Sequence, residues 1–583
     1  MTIAGVRTSP DHEETGWPKG VPYIVGNEAC ERFSYYGMRA ILTVHLVALY
    51  TLSGHTQDAA QAEATAAYHM FAGAVYAVPM IGAILADRLL GKYKVILWLS
   101  LMYCVGHGIL AIADIPTDPN TRLNLVFLGL ACIAIGAGGI KPCVSANVGD
   151  QFGRGNWHRV RAIYQIFYFS INFGSFFATL LIPFIRGDGT ELWRVSLAFG
   201  IPGVLMGIAT FFFWLGREKF VHVPPKPGGS LGKYDALAGA LLFLSIGHLY
   251  VPIPELISGP LGDAGTTGLR VVLSVVFIAA GLKVFFKRQQ IEQDDGFLAI
   301  LLFNLRAHLK GETGADNIQA TGGEASSAAM ASSAADEQND LGDSDNPILK
   351  SPTWRRFWGP AINRFGLEAV EGPHAVFKVC TIFIFIPVFW AIFDQHGSTW
   401  ILQAQSMDTT MFGTNVLPEQ VSAANPLMVM ALIPILNIIY RLCEKVGIQA
   451  TPLRRMVAGM FMASASFAIA AMIQHAIDAQ GEGVVSIWWQ VLAYLVLTTS
   501  EVLLSITALE FAYTQAPKRM KSVVMGLFLL TVTLGNVFVS IMAGAKTLSE
   551  AQFFWFFCAV AAGVGVLMGI RAKFYVQRDF TQE

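Results

Sequence analysis

Apolar runs of about 20 residues recur along almost the whole chain, and no other feature restricts its fold as strongly. An α-helix needs roughly 20 apolar residues to cross the ~30 Å hydrocarbon core of a bilayer. Because backbone polar groups must bond internally in lipid, these runs predict an all-α polytopic membrane protein. We place about fourteen runs, near residues 21–50, 63–87, 93–113, 123–147, 160–185, 194–216, 234–256, 268–287, 376–403, 423–445, 454–475, 486–513, 522–545 and 551–573.

The composition supports this class and excludes several others. Hydrophobic residues make up 54% of the 583 residues and charged residues only 14%, whereas soluble domains carry about 25% charged residues. No basic domain or basic–aromatic patch indicates nucleic-acid binding. The seven cysteines form no C-x-x-C pair, so we expect neither a zinc site nor a disulfide framework. With no zinc, nucleophile–base or cofactor motif, we expect no enzyme activity, and the polar N-terminus predicts no cleaved signal peptide.

The lysines and arginines of the short loops fall on one side of the membrane. The opposite loops, near residues 51–62, 407–422 and 476–485, carry none. Because positively charged loops face the cytoplasm, we expect both termini there, with the chain in a plasma (inner) membrane. The basic loops contain Arg88, Lys92, Lys94, Arg154, Arg159, Arg161, Arg217, Lys219, Lys226, Lys233, Arg441, Lys445, Arg454, Arg455, Lys518, Arg519 and Lys521.

A polar segment separates two sets of spans. Its first part, G-F-L-A-I-L-L-F-N-L-R-A-H-L-K, predicts an interfacial amphipathic helix, and residues 311–346 have the composition of a disordered linker. Two six-helix halves with a substrate site between them form a common transporter architecture. The predicted order is a cytoplasmic N-terminus (1–20), a six-helix bundle (21–217), an inserted helix pair packed beside the bundle (218–287), the linker (288–375), a second six-helix bundle (376–573) and a cytoplasmic tail (574–583).

The first predicted span carries charges inside an apolar run. Helical spacing puts Glu28, Arg32, Tyr35 and Arg39 along one stripe, with Glu31 and Tyr36 on its flank. A charge at bilayer depth costs at least ~2.5–3.5 kcal/mol on insertion scales, so such groups normally face a bundle interior or a water-filled path. A buried structural ion pair is the alternative. We favour a proton and substrate site.

Further charges interrupt other spans. Lys141 precedes Pro142 in a glycine-rich fourth span, and we expect the carboxylates of the first span to pair with it. Glu501 and Glu510 lie in one apolar helix, and Glu510 is interpreted as structural. Asp394 lies in or at the end of the seventh span, with Trp390 one turn earlier. The loop that follows the second span contains Asp87, Arg88 and Lys92. We interpret these side chains as groups that cap helix ends and form a breakable latch on the cytoplasmic side.

Several motifs match one known family. The run E-A-C-E-R-F-S-Y-Y-G resembles the E-x-x-E-R-F-x-Y-Y-G signature of the proton-coupled oligopeptide transporters, and F-Y-F-S-I-N-F-G-S resembles the second signature of that family. The loop G-A-I-L-A-D-R-L-L-G-K resembles that of the major facilitator superfamily. This resemblance implies a major facilitator fold with 6+2+6 transmembrane helices, in a bacterial-type member of the family.

The resemblance also implies roles for individual residues. Arg32 and Lys141 would hold a peptide carboxylate, and Glu501 its ammonium group. Asp394 would pair with Arg39 and release it on protonation, while Glu28, Glu31 and His69 are further proton-carrying candidates. Asn172 is a substrate contact or an inter-helix hydrogen-bonding residue, and Asn425 is a binding residue or a helix cap before Pro426. The remaining predicted pocket residues are Tyr35, Tyr36, Tyr76, Trp390 and Phe528.

The expected function is proton-driven symport of di- and tripeptides by alternating access. The expected partners are peptides, protons and the lipid bilayer, with no nucleic acid, and the working unit is expected to be a monomer. No cofactor is expected besides the coupling proton. Two alternatives stay open. One is transport of nitrate or a peptide-like compound on the same scaffold, against which Glu501 argues, and the other is a receptor with residues 288–375 as its output domain.

Overall fold

The computed structural model describes residues 7–247, 255–291, 296–311, 347–447, 449–515, 517, 520–545 and 547–577. Apart from one short hairpin, these residues are arranged as helices and their connections. Each of the fourteen predicted runs falls, in whole or in part, on a described helix. Eleven of these helices are long and apolar enough to cross a membrane, or twelve if the interrupted stretch 367–405 is one span. The predicted linker tract at 312–346 lies outside the described residues.

The N-terminal half consists of seven helices, and five stretches in it are long and apolar enough to cross a membrane. The first helix, Val21–Leu52, carries the charged stripe and is not among these five. Pro79 begins the third helix, and α2 (Gln57–Ala77) with α3 (Pro79–Leu85) and a π-helical turn (Ala86–Leu90) forms one continuous span. Thr56 and Asp118 cap α2 and α5 by accepting hydrogen bonds from Ala59 and Thr121. The helices are α1 (Val21–Leu52), α2 (Gln57–Ala77), α3 (Pro79–Leu85), α4 (Lys92–Ile112), α5 (Pro119–Gly149), α6 (Val160–Arg186) and α7 (Leu192–Leu215).

Glycines let the helices of this half approach closely. A Cβ atom on Gly82 of α3 would lie 2.0 Å from the carbonyl oxygen of Gly138 on α5, and one on Gly136 would lie 2.8 Å from Tyr103 of α4. Substitution at either position would therefore push the backbones apart. This close packing holds the segment around Lys141 against α3 and α4.

The inserted pair comprises α8 (Gly229–Gly247) and α9 (Glu255–Ile291), the latter interrupted at Gly262. Helix α8 packs on α3 and the π-helical turn, where a Cβ atom on Gly232 would lie 2.0 Å from the carbonyl oxygen of Arg88. Val271, Val272 and Val275 of α9 are more than half exposed. An apolar exposed face of this kind suits contact with lipid at the side of a bundle.

A smaller unit contains α10 (Phe297–Leu309), α11 (Pro347–Lys350), α12 (Pro352–Phe365) and most of α13 (Leu367–Phe383). The predicted amphipathic helix is present as α10. Asn304 donates a hydrogen bond to the carbonyl oxygen of Phe357 at 2.8 Å, and Ile300, Trp358 and Ile362 pack in a shared core. Helices α10 and α12 therefore form a small packed unit.

The C-terminal half continues through α21. The run predicted as one span at 376–403 is divided, because Pro387 begins a new helix and a 3₁₀ turn at Asp394–Gly397 interrupts the helix again. The elements are α14 (Ile386–Phe393), α15 (Thr399–Gln405), β1 (Thr410–Met411), β2 (Thr414–Asn415), a 3₁₀ segment (Pro418–Ala423), α16 (Ala424–Lys445), α17 (Pro452–Gln480), α18 (Trp488–Glu501), a π-helical turn (Val502–Ile506), α19 (Thr507–Thr514), α20 (Lys521–Gly544) and α21 (Glu550–Lys573).

Candidate functional site

The charged stripe of α1 forms a compact ion cluster inside the N-terminal half. Arg32 Nε donates to Glu28 Oε1 at 2.7 Å and lies 3.2 Å from Glu31 Oε2. Both carboxylates are almost fully buried, and Arg32 is only slightly exposed. One guanidinium is therefore shared between two carboxylates, as the helical spacing of these residues allows.

The predicted pairing of Lys141 with these carboxylates is wrong. Its Nζ lies 4.1 Å from the ring centres of both Tyr35 and Tyr76, and it makes no hydrogen bond to any described residue. A cation over two aromatic faces gains electrostatic stabilisation without a carboxylate partner. Lys141 is therefore a buried cation whose hydrogen-bond donors remain available to a ligand.

Tyrosines connect the ion cluster with the second half. Tyr36 packs edge-on against Tyr35, and it lies close enough to both Arg32 and Glu501 to interact with their charges. Tyr168 of α6 also lies within electrostatic reach of Glu501. The Tyr35 hydroxyl has no hydrogen-bond partner among the described residues. These rings form one boundary between the positive groups of one half and the carboxylate of the other.

Glu501 lies at the end of α18, directly before the π-helical turn. Asn425 Nδ2 donates to Glu501 Oε2 at 2.9 Å and to Thr498 Oγ1 at 3.1 Å. Asn425 therefore orients the carboxylate of Glu501. The helix-cap interpretation of Asn425 is wrong, because the 3₁₀ segment runs directly into α16 and Ala423 occupies the N-cap position.

The inter-helix hydrogen bond predicted for Asn172 is not present among the described residues, and its substrate contact stays a prediction. Its Nδ2 donates to the carbonyl oxygen of Tyr168 at 3.0 Å, one turn earlier in its own helix. Short polar side chains inside helices often bond the backbone in this way. Close packing by the adjacent glycine is present, since a Cβ atom on Gly174 would lie 3.0 Å from the carbonyl oxygen of Ala29 on α1.

The predicted aromatic residues Trp390 and Phe528 form one wall in the C-terminal half. Their ring centres lie 6.2 Å apart in an edge-to-face arrangement, and Phe528 also contacts Phe383 at 6.0 Å. Both side chains are mostly buried, and Trp390 Nε1 bonds no described residue. The wall is therefore largely apolar and carries one free donor.

A second cluster, which we call the gate network, joins the two halves. Arg39 Nη2 donates to Asp394 Oδ1 at 2.6 Å, and Asn536 Nδ2 donates to Asp394 Oδ2 at 2.7 Å. His69 bonds Asn536 Oδ1 and Ser398 Oγ, both at 2.8 Å. The pair expected between Arg39 and Asp394 is therefore present, and His69 is linked to it through one asparagine.

The gate network is extended by neighbouring contacts. Arg39 Nε also donates to the Tyr68 hydroxyl, and Thr43 donates to the carbonyl oxygen of Gly397 at 2.9 Å. A buried ion pair joins Arg186 of α6 to Glu419 at 3.1 Å. These contacts lie toward Leu52 of α1 and Arg186 of α6, and we call this the Leu52 end. The two halves are closed against each other there.

The predicted latch residues lie at the end of the first half that is opposite to the Leu52 end. Their partners belong to the first half itself and to the inserted helix pair. Lys92 pairs with Asp150 at the end of α5 at 2.7 Å, and Arg88 lies 3.5 Å from Asp235 of α8. The predicted helix capping by Asp87 is not observed, since Gly91 occupies the N-cap position of α4 at a φ of 83°. Asp87 lies inside the π-helical turn instead.

Several site residues were missed by sequence reasoning. Asn536 is an uncharged polar residue inside an apolar run, and Tyr68 stands beside the predicted His69. Polar residues at membrane depth are expensive, which is the signal that could have identified them. Nothing in the local sequence indicated the bond between Arg186 and Glu419, since they lie 233 positions apart.

Two six-helix halves that meet around buried charges define an integral membrane transporter with the major facilitator fold, as the sequence predicted. The chain belongs to the POT family, whose model matches residues 93–238 and 343–556. The chain is 33% identical to the POT family transporter PepTSo, whose crystal structure superposes with a TM-score of 0.70, covering 96% of this chain and 99% of that one. The crystal structure of an auto-inhibited POT family peptide transporter matches with 33% identity and a TM-score of 0.69, covering 97% of this chain and 98% of that one.

Curated relatives are longer. Peptide transporter family 2 of Caenorhabditis elegans is 31% identical over 475 residues, which cover 80% of this chain and 49% of that protein. Human Solute carrier family 15 member 2 is 29% identical over 479 residues, covering 81% and 51%. The chain therefore spans about half the length of the curated relatives it matches.

Proposed function

We propose that the protein is a proton-coupled symporter that imports di- and tripeptides by alternating access. The observation that carries the proposal is the distribution of charge over the two halves. Arg32 and Lys141 on one half can hold a carboxylate, and Glu501 on the other can hold an ammonium group. Opposite charges on separate halves suit the two ends of a zwitterionic peptide. The name of one curated relative, Peptide transporter family 2 of Caenorhabditis elegans, supports the same substrate class.

Such a substrate would couple binding to movement. A peptide that touches Arg32 and Glu501 together stabilises the state in which the halves are closest. A conformational change requires this kind of differential interaction between states. Tyr36 is influenced by the charges of both Arg32 and Glu501, one on each half. Variable side chains would lie against the aromatic wall of Trp390 and Phe528.

The gate network supports proton coupling. Asp394 is held by Arg39 only while both carry charge, so protonation of Asp394 weakens the bond that closes the Leu52 end. His69 is connected through Asn536 and can exchange a proton with the same network. Glu28 and Glu31 are the corresponding candidates beside the substrate site. Because these groups interact, the titration belongs to the network.

One proton is energetically sufficient. Moving one charge through ~100 mV supplies about 2.3 kcal/mol, and one pH unit adds about 1.4 kcal/mol. Together they support roughly 500-fold accumulation of a neutral peptide, at about 1.4 kcal/mol per decade. No further cofactor is needed in this scheme, and a monomer contains all of its parts.

We place the protein in the plasma (inner) membrane with both termini in the cytoplasm. The support is the positive charge of the loops on one side, including the one with Arg88 and Lys92, and its absence near residues 51–62. The Leu52 end is then extracellular, and the described conformation is closed to the outside.

The proposal is tested by uptake of a labelled dipeptide into proteoliposomes, with and without an inward proton gradient. We expect gradient-dependent accumulation that unlabelled dipeptide abolishes and excess nitrate leaves unchanged. Uptake that ignores the gradient would contradict proton coupling. Competition by nitrate, with no competition by dipeptide, would support the alternative of anion transport.

A further inference from the structure

Helix α1 has a second polar stripe, of which the scheme above uses only Glu31. Asn27, Glu31, Ser34 and His45 lie at i, i+4, i+7 and i+18, on one side of the helix. All four are buried, and Ser34 donates to the carbonyl oxygen of Pro202 on α7 at 2.6 Å. This stripe therefore faces the interior of the N-terminal bundle.

Helix α4 contributes a matching polar face. Ser100, Tyr103 and His107 lie at i, i+3 and i+7, and each is completely buried. The Ser100 and Tyr103 hydroxyls and His107 Nε2 bond no described residue, and neither does the side-chain amide of Asn27. His45 Nε2 makes no hydrogen bond either, although it lies at ion-pair distance from Asp114. Buried polar atoms in native proteins are normally bonded by protein or by ordered water. A row of unbonded atoms inside one bundle therefore points to a chain of water molecules.

The polar groups follow one another across the bundle. Glu31 interacts electrostatically with Tyr103, whose ring centre lies 5.2 Å from that of His107. His107 Nδ1 donates to the carbonyl oxygen of Phe199 on α7 at 3.1 Å, so in the neutral ring its Nε2 is an acceptor. The Phe199 ring lies 5.0 Å from the ring of His45.

The row ends near the Leu52 end. His45 Nε2 lies 3.5 Å from Asp114 Oδ2, in the connection between α4 and α5. The other charged groups acting on His45 are Arg122 of α5 and Arg186 of α6. Helix α7 offers no bulky side chain opposite His107, since a Cβ atom on Gly203 would lie 2.6 Å from the Cβ of His107. The distance between α4 and α7 is therefore set by the backbone at Gly203, which keeps the row of polar groups narrow.

We propose that a water chain along Asp114, His45, His107 and Tyr103 carries protons between the extracellular side and Glu31, through the interior of the N-terminal bundle. Each water accepts a proton from one neighbour and passes another on, and the carboxylate of Glu31 accepts the last one. Protons thereby reach the site while the halves are closed at the gate network. This inference rests on the proposed symport for its function, although the water chain itself does not.

The water chain is tested first, without transport. Hydroxyl-radical labelling with mass spectrometry marks side chains next to bound water in the reconstituted wild-type protein. We expect Tyr103 to be labelled at least fivefold faster than Tyr494, a buried tyrosine whose hydroxyl donates to the carbonyl oxygen of His396 at 3.0 Å. Equal labelling of the two tyrosines overturns the proposal.

The proton path is tested by the ratio of gradient-driven uptake to peptide counterflow, which needs no net proton movement. Tyr103→Phe and His107→Leu remove groups that hold water, and we expect each to lower the ratio at least tenfold. Thr210→Val is the control, because Thr210 is buried on α7 and bonds a carbonyl of its own helix. It should leave the ratio within twofold.

An unchanged ratio in Tyr103→Phe overturns the proton path, whether both activities persist or both fall together. Since Phe keeps the ring, this variant decides the question if His107→Leu does not fold. Wild-type protein that exchanges peptide but ignores the gradient refutes the symport instead. Labelling of Tyr103 then still decides whether the water chain exists.

Discussion

The gate network and the substrate site are both buried and charged, but they differ in how completely they are bonded. In the gate network, both carboxylate oxygens of Asp394 and both ring nitrogens of His69 have partners. In the site, Lys141 Nζ, the Tyr35 hydroxyl and Glu28 Oε2 have none among the described residues. An unbonded buried polar group costs about 1–3 kcal/mol. The gate is therefore complete by itself, whereas the proposed substrate site keeps unbonded groups to which a ligand can bond.

This difference assigns separate tasks to the two clusters. A fully bonded network between the halves stabilises one conformation and must lose a bond before that conformation can change. A site with free donors and acceptors gains most when a ligand supplies the missing partners. Variants in the gate should thus alter coupling and conformation, and variants in the site should alter substrate affinity and turnover.

The largest effect is expected for Glu501→Gln in the site. The amide keeps the shape and can still accept from Asn425, but it cannot pair with an ammonium group as an anion. Loss of a charge-assisted bond of about 1.5–3 kcal/mol predicts a roughly 10- to 100-fold fall in gradient-driven dipeptide uptake. Glu510→Gln, at an exposed position in the following helix, is the control and should stay within twofold. Equal losses in the two variants would refute the ammonium site.

Asp394→Asn tests the gate and should rank next. Removing the carboxylate charge leaves Arg39 as a buried cation without its ion partner, which destabilises the closed conformation and affects uptake less directly than loss of a substrate contact. We expect gradient-driven uptake to fall at least tenfold and peptide counterflow to lose most of its pH dependence. The assay compares counterflow at several pH values with that of Asp408→Asn.

The control residue Asp408 is a partly exposed aspartate whose carboxylate accepts two bonds from Thr410. These bonds hold the pKa of Asp408 below its usual value, so the group stays ionised through the neutral range. Its replacement should therefore change neither uptake nor pH dependence. A full pH dependence in Asp394→Asn would show that proton coupling lies elsewhere.

Asn425→Ala distinguishes the effect of orienting the Glu501 carboxylate from the effect of its charge. The substitution removes one bond to Glu501 and one to Thr498 but leaves the carboxylate in place. With about 1 kcal/mol per bond, the KM for dipeptide should rise by roughly five- to thirtyfold with little change in kcat. Asn437→Ala, at an exposed position of the same helix, is the matched control. A loss in kcat with constant KM would contradict an orienting role.

The sequence predicted the helices and the charged stripe of α1 because both depend on local spacing. It also predicted the partner of Arg39, although only through the family resemblance. It failed at Lys141 and left a binding role and a helix cap both open at Asn425, because the contacts of these two residues are made with helices distant in sequence. Neither the ring contacts of Lys141 nor the bond from Asn425 to Glu501 has a local signal. The interruption at Asp394 was missed although the residues there, Asp394 to Thr399, form a short polar run inside the apolar stretch.

The smallest effect is expected in the aromatic wall, where Phe528→Trp would enlarge a side chain that faces Trp390 at 6.2 Å. The extra ring volume reduces the space for a peptide side chain but touches neither Arg32 nor Glu501. We expect uptake of dialanine to stay within twofold and uptake of a dipeptide with two bulky side chains to fall three- to tenfold, since overpacking costs about 1–3 kcal/mol. Leu534→Trp, at an exposed position of the same helix, is the control. Equal losses for both peptides would mean that the wall supports the fold of the site and does not select its ligand. The charged residues and the aromatic wall would then not have the separate roles proposed for them, binding of the peptide termini and accommodation of its side chains.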